Sequence, residues 1–219
     1  MKLIAAGRLG RRSRGLLAGF AVVLALATSI RADNADYGGS WQLQLSSDTV
    51  QDGGLVPDIM ASNAASVGVK TCTLDGLPGG DQSPQLSWRN VPPGTRTFTI
   101  VMYDETAGFT HWVIYNVPRD VSDLPAGIAP DSTVGTQAYN DFFAPGYGGP
   151  CPPVGVIPTT HRYTITVYAL ADHLDVVNLA NFPAYGESVY QALIKAARRG
   201  TILQSATLTV FDSTTPPSN

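Results

Sequence analysis

The stretch Thr97-Phe-Thr-Ile-Val-Met-Tyr-Asp-Glu-Thr-Ala-Gly-Phe-Thr-His-Trp-Val-Ile-Tyr-Asn-Val117 decides the fold. Residues 97–103 and 111–117 are runs of β-branched, aromatic and other apolar residues. Such side chains favour a pleated strand, because branched and ring groups lose χ1 freedom in a helix. Pro92, Pro93 and Gly94 bound the first run, and residues 105–108 between the two have the composition of a turn. The second run is apolar almost without a break, as is the run over residues 161–170. Both read as central strands, buried on two faces.

Working outward, residues 41–46 alternate polar and apolar at period two, the mark of a half-buried strand, and Asp52-Gly53-Gly54 is a turn. Residues 84–88 read as a strand stopped by Asn90-Val-Pro-Pro-Gly94, and residues 205–211 as the last strand. One stretch has helical periodicity: over residues 187–199, Val189, Leu193, Ala196 and Ala197 share a stripe. Glu187 near its start, Arg198 and Arg199 in its last turn and Gly200 beyond suit the two ends of a helix. A second short helix is expected after Asp172. Many strands and one or two late helices predict a mainly β protein, an antiparallel β-sandwich with peripheral helices. The Gly/Pro-rich connection over residues 125–160 is of a length that is usually functional or disordered.

The first 32 residues read apart from this domain. Lys2, Arg8, Arg11, Arg12 and Arg14 precede an apolar run over residues 16–27 and small residues after it, the order of a secretory signal. The run is short of the roughly 20 residues that span a bilayer. The expectation is a signal over residues 1–32, one domain over residues 33–219, no transmembrane span after processing, and a periplasmic or secreted location. Cleavage there leaves 8 basic residues against 17 acidic ones, a net charge of −9. So acidic a body is ill suited to nucleic acid or anionic lipid surfaces, whose affinity comes from Lys and Arg. Any anion must be caught by a local site. Cys72 and Cys151 are the only cysteines. In an exported chain the expectation is a bridge closing a long loop, with two buried thiols as the other reading.

His111 and His161 each stand at the head of a strand, beside a loop that offers an acid or bare backbone amides. An imidazole there can donate to an anion, bind a metal or act as a base. Asp104 can accept a ring N–H or cap the turn that follows it. The segment Gly146-Tyr-Gly-Gly-Pro-Cys-Pro-Pro-Val-Gly155 reads either as a plain crossing loop or as an anion-holding nest of N–H groups. His173 lacks such a context. Ser83 with His111 and Asp104 would make a hydrolase, but no Gly-x-Ser-x-Gly elbow surrounds it. His111, His161 and Asp104 could ligate zinc, but no compact ligand motif accompanies them. No catalytic residue, metal or cofactor is therefore expected.

In order, Ser83-Pro-Gln-Leu-Ser-Trp88, the Asp104 loop, His111-Trp112, Gly149-Pro-Cys-Pro-Pro153 and His161-Arg-Tyr163 resemble the phosphatidylethanolamine-binding proteins, most of all their bacterial, Raf kinase inhibitor-like branch. The likeness covers about residues 42–212. It implies a Greek-key β-sandwich with a small pocket at one end for phosphate, acetate or a phospholipid headgroup. Asp104, His111, Gly148, Gly149, Pro150, His161 and Tyr163 would line it, with both imidazoles and the glycine amides donating to the anion. Arg162 would point away or brace the loop. The resemblance implies a binding and regulatory module, not an enzyme. Inhibition of an envelope protease or kinase is the other role it suggests. Two departures fall on the rim: the family's Asp-Pro-Asp-x-Pro reads Asp104-Glu-Thr-Ala-Gly108 here, and residues 156–160 are inserted before His161.

Overall fold

The computed structural model describes residues 41–63, 72–73, 75–176 and 184–213. The expected leader, the tail beyond residue 213 and residues 177–183 lie outside the described residues; the second helix expected after Asp172 does not begin over residues 173–176. The strands are β1 (Gln44–Ser46), β2 (Gly54–Leu55), β3 (Leu86–Arg89), β4 (Thr97–Asp104), β5 (Phe109–Pro118), β6 (Asp123–Leu124), β7 (Thr136–Gln137), β8 (His161–Leu170) and β9 (Ile202–Asp212). The helix α1 (Gly186–Arg198) precedes β9.

Among the described residues two sheets form, one of three strands in the order β1-β3-β6 and one of six in the order β2-β9-β8-β4-β5-β7. The chain leaves β5 on one side of β4 and returns as β8 on the other, a crossover compatible with the Greek-key expectation. All pairs are antiparallel except β2 with β9, which run parallel. That pair departs from the all-antiparallel expectation: Asp52 and Gly53 do turn the chain, but Gly54 and Leu55 then lie along the edge of β9. β1 is half the expected length, because Trp41 is exposed and only residues 44–46 find a partner in β3.

Strand alternation explains why β4, β5 and β8 are apolar throughout. Phe98, Ile100 and Met102 of β4, with Trp112, Ile165 and Val167, face the small sheet and pack on Leu43, Leu86, Trp88 and Leu124. Val101, Val113, Tyr115, Tyr168 and Leu170 face the other way and are covered by Val189, Tyr190, Leu193 and Ala196 of α1. The central strands thus lie in the middle of three layers. Each large side chain buried this way stabilises the fold by about 1.5–3 kcal/mol. The helix ends where Gly200 takes φ +68°, a left-handed turn that glycine adopts without steric cost. No helix among the described residues is long and apolar enough to cross a membrane.

Cys72 and Cys151 form a disulfide across 79 residues of sequence. Closing a loop of that length removes unfolded-state freedom worth about 4 kcal/mol. Replacing both cysteines by serine is therefore expected to lower the melting temperature by about 10 °C in calorimetry. A fall of under two degrees would show that the bridge adds nothing to stability.

Candidate functional site

The ends of four neighbouring strands meet at one edge of the six-stranded sheet. Asp104, the last residue of β4, lies opposite Tyr163 of β8, and His161, the first residue of β8, lies opposite Asp212, the last of β9. Side chains two apart share a face. Asp104, His161, Tyr163 and Asp212 therefore turn to the face that carries Met102, Ile165 and Val210 in the sandwich core.

His111 reaches the same face through a bulge. In β5 Trp112 pairs with Met102, but Thr110 and not His111 pairs with Tyr103, so His111 is an extra residue in the strand. Thr110 then faces α1, its hydroxyl 2.9 Å from that of Tyr190. Unbroken alternation would turn His111 toward the helix with Val113. The bulge re-aims it into the sandwich beside Tyr163, with ring centroids 5.2 Å apart.

The Asp104 carboxylate does both jobs open to it. Its Oδ2 accepts from His161 Nδ1 at 2.6 Å, and its Oδ1 accepts the Thr106 and Ala107 amides at 2.8 and 2.9 Å. The bonded imidazole is that of His161, not of His111. His111 donates from Nδ1 to the Gly148 carbonyl at 2.7 Å. A carbonyl can only accept, so Nδ1 carries the proton, and burial holds the ring below the usual histidine range. His111 is thus neutral near pH 7, and its Nε2 is an acceptor. The expectation that both histidines donate to a ligand does not fit His111, whose Nε2 is an acceptor.

Tyr163 stacks on His161 with centroids 6.4 Å apart and stands edge-on to His111. Burial, then the charges of Asp104 and Asp212, push its phenol well up, so it keeps its O–H. Burial also raises Asp212, to about 6 from an ordinary 3.8. The folded chain holds that proton where the unfolded chain has lost it, so Asp212 makes stability fall as pH rises from about 4 through 6.

The glycine loop braces this end of the sandwich by its backbone. Gly148 N donates to the His111 carbonyl at 2.9 Å, Gly149 N to Asp81 Oδ1 at 2.6 Å, and the Pro150 carbonyl accepts Ser62 N at 2.9 Å. The Gly148 and Gly149 amides are thus already engaged, which corrects the reading of them as donors to a ligand. The glycines serve close approach instead. A Cβ on Gly148 would stand 2.6 Å from the Phe142 ring, and one on Gly149 would stand 2.3 Å from the Met60 carbonyl oxygen.

Arg162 braces the rim as expected. Its guanidinium pairs with Glu105, and its amide donates to Thr106 Oγ1 at 2.9 Å, so the threonine in the altered loop ties that loop to β8. Ser83 is buried and structural, its hydroxyl accepting Ile128 N at 2.9 Å. His173 is exposed beyond the far end of β8. Sequence reasoning missed Asp212, Asp81 and Phe142. Phe142 is half-exposed and packs on Phe109 and His111, with centroids 4.6 and 5.6 Å away. Period two through Leu208 and Val210 was a signal for Asp212. Asp81 and Phe142 act across long sequence distances and left none.

Fold and site together define a mainly β protein of two packed sheets, with histidines and carboxylates gathered at one end. The sequence model of the phosphatidylethanolamine-binding protein family matches residues 46–211. The chain belongs to the phosphatidylethanolamine-binding protein family. It is 38% identical over 126 residues to the UPF0098 protein YbhB of Escherichia coli, covering 52% of this chain and 77% of that one. A UPF0098 protein of Aquifex aeolicus is 42% identical over 107 residues, and the match spans 47% of this chain and only three fifths (60%) of that relative. LppC of Mycobacterium tuberculosis, named as a lipoprotein, is 30% identical over 122 residues, covering 54% of this chain and 56% of that one. Among solved structures, that of E. coli YbcL, described as a member of the mammalian family, superposes with a TM-score of 0.63 at 26% identity. The match covers 78% of this chain and 98% of YbcL.

Proposed function

We propose that this chain is an exported binding protein that holds a small anionic or phosphorylated ligand between His161 and His111, without turning it over. The observation that carries the reading is the pair of imidazoles on one face, each with Nδ1 committed, to Asp104 and to the Gly148 carbonyl. Each Nε2 is left without a hydrogen bond among the described residues. With Asp104 behind its Nδ1, His161 turns its other ring nitrogen to the oxyanion, and a charge-assisted bond there is about twice as strong as a neutral one. Tyr163 packs against both rings, and its hydroxyl is hydrogen-bonded to Asp104. Export is supported by the basic and apolar leader, by a disulfide of the kind that persists outside the cytoplasm, and by the relative named as a lipoprotein.

The test is calorimetric titration of inorganic phosphate and phosphoethanolamine into the wild-type chain and into His161→Ala. Losing a buried, charge-assisted partner typically costs 2–5 kcal/mol, so affinity is expected to fall about 100-fold. Equal binding by both proteins, or none by either, would count against the proposal. A second reading, inhibition of an envelope protease or kinase, is favoured by Phe142 and Phe143, exposed at 48% and 76% beside the site. A stoichiometric partner retained from envelope extract, and lost in Phe142→Ser/Phe143→Ser, would support it.

A further inference from the structure

One carboxylate oxygen at the site is left unused, on Asp212, whose carboxyl takes a backbone hydrogen bond at Ser213. Asp212 stands directly across from His161, on the same face, and its Oδ2 is buried with no hydrogen-bond partner among the described residues. An oxygen left so costs the fold free energy that a partner would recover. The charged and titratable groups around it are His161 on β8, Asp104 on β4 and Asp58 in the segment after β2. Tyr163 on β8 and Tyr147 in the glycine loop also feel its charge. No Lys or Arg is among them, and Arg162 is turned outward to Glu105.

Once ionised, Asp212 can only accept hydrogen bonds. His111, 3% exposed and with Nδ1–H given to Gly148, presents a second acceptor in Nε2. Two acceptors facing a ligand require it to bring a donor. A fully ionised tetrahedral oxyanion such as sulfate has none, and its charge is opposed by Asp104 and Asp212. Hydrogen phosphate and dihydrogen phosphate keep at least one O–H, as does the monoanion of a phosphomonoester. These can accept from His161 on one side and donate to an acceptor on the other.

Resting on the oxyanion pocket proposed above, we infer that the site selects an oxyanion carrying its own proton over one that carries none, with Asp212 as the residue that imposes the choice. Binding sites that read a ligand O–H or N–H reject analogues without it strongly, because their own buried polar groups are then left unpaired.

Calorimetry on the full chain at pH 7 and constant ionic strength tests this with inorganic phosphate and inorganic sulfate as probes. Wild type is expected to bind phosphate about 100-fold more tightly than sulfate. Asp212→Asn keeps the size of the side chain and converts one acceptor into a donor. It is expected to narrow that ratio about tenfold or more, through a gain in sulfate affinity. Wild type binding both ions equally, or a ratio unchanged in Asp212→Asn, overturns the inference and leaves the oxyanion pocket standing. Failure of both proteins to bind either ion overturns the pocket and the inference together.

Discussion

Asp104→Ala is expected to weaken phosphate binding at least about 100-fold and to cost the fold about 3–5 kcal/mol, the largest double effect at the site. Asp104 is 2% exposed, and its two oxygens take three nitrogen donors, His161 Nδ1, Thr106 N and Ala107 N, while the Tyr163 hydroxyl is bonded to the same carboxyl. Alanine leaves all three without an acceptor, and a buried unsatisfied donor costs roughly 1–3 kcal/mol. The damage to function has a separate route. Without the carboxylate His161 Nδ1 loses the acceptor that fixes its ring, so the contact to the ligand is lost with the residue behind it. Urea denaturation and phosphate calorimetry on the same variant read the two effects. A stability loss under 1 kcal/mol would show that the turn after β4 satisfies its amides some other way. An unchanged affinity would show that His161 needs no support.

Gly149→Ala is expected to destabilise the chain by about 3 kcal/mol although it adds a single carbon. That carbon would stand 2.3 Å from the Met60 carbonyl oxygen and 2.4 Å from Ser62 N, and backbone atoms cannot rotate away. Relief requires the loop to shift. The shift would strain the bonds from Gly149 N to Asp81 and from Ser62 N to the Pro150 carbonyl, and would move the Gly148 carbonyl that sets the His111 tautomer. Binding should therefore weaken along with stability. Gly155 is the control: it has positive φ but open space around it, so Gly155→Ala should cost only the backbone term of about 1–2 kcal/mol. Equal urea midpoints for the two variants would refute the packing argument.

Much of this was legible in the chain. The strands β4, β5, β8 and β9 and the helix α1 were placed to within a few residues, because long apolar runs and a helical stripe report burial directly. The short strands β2, β6 and β7 were not read, since two residues carry no periodicity and owe their pairing to what lies beside them. The connection over residues 125–160 was right in place and incomplete in content: it contains β7, and through Gly148 it holds an imidazole from behind.

Periodicity showed a mainly β fold and its central strands, and the ordered motifs' resemblance to one family pointed to Asp104, His111, His161 and Tyr163 at one end. They could not determine which way those residues point. By alternation His111 belongs on the helix face and His161 on the sandwich face, so the strand pattern read strictly would put the two rings on opposite sides of the sheet. One unpaired residue in β5 reverses that, with Thr110 bonded to Tyr190 on one face and Trp112 packed in the core on the other. The engagement of the Gly148 and Gly149 amides was likewise decided in three dimensions, since their partners His111 and Asp81 lie far away in sequence. Side-chain direction in a strand follows local register, and register is set by contacts between segments.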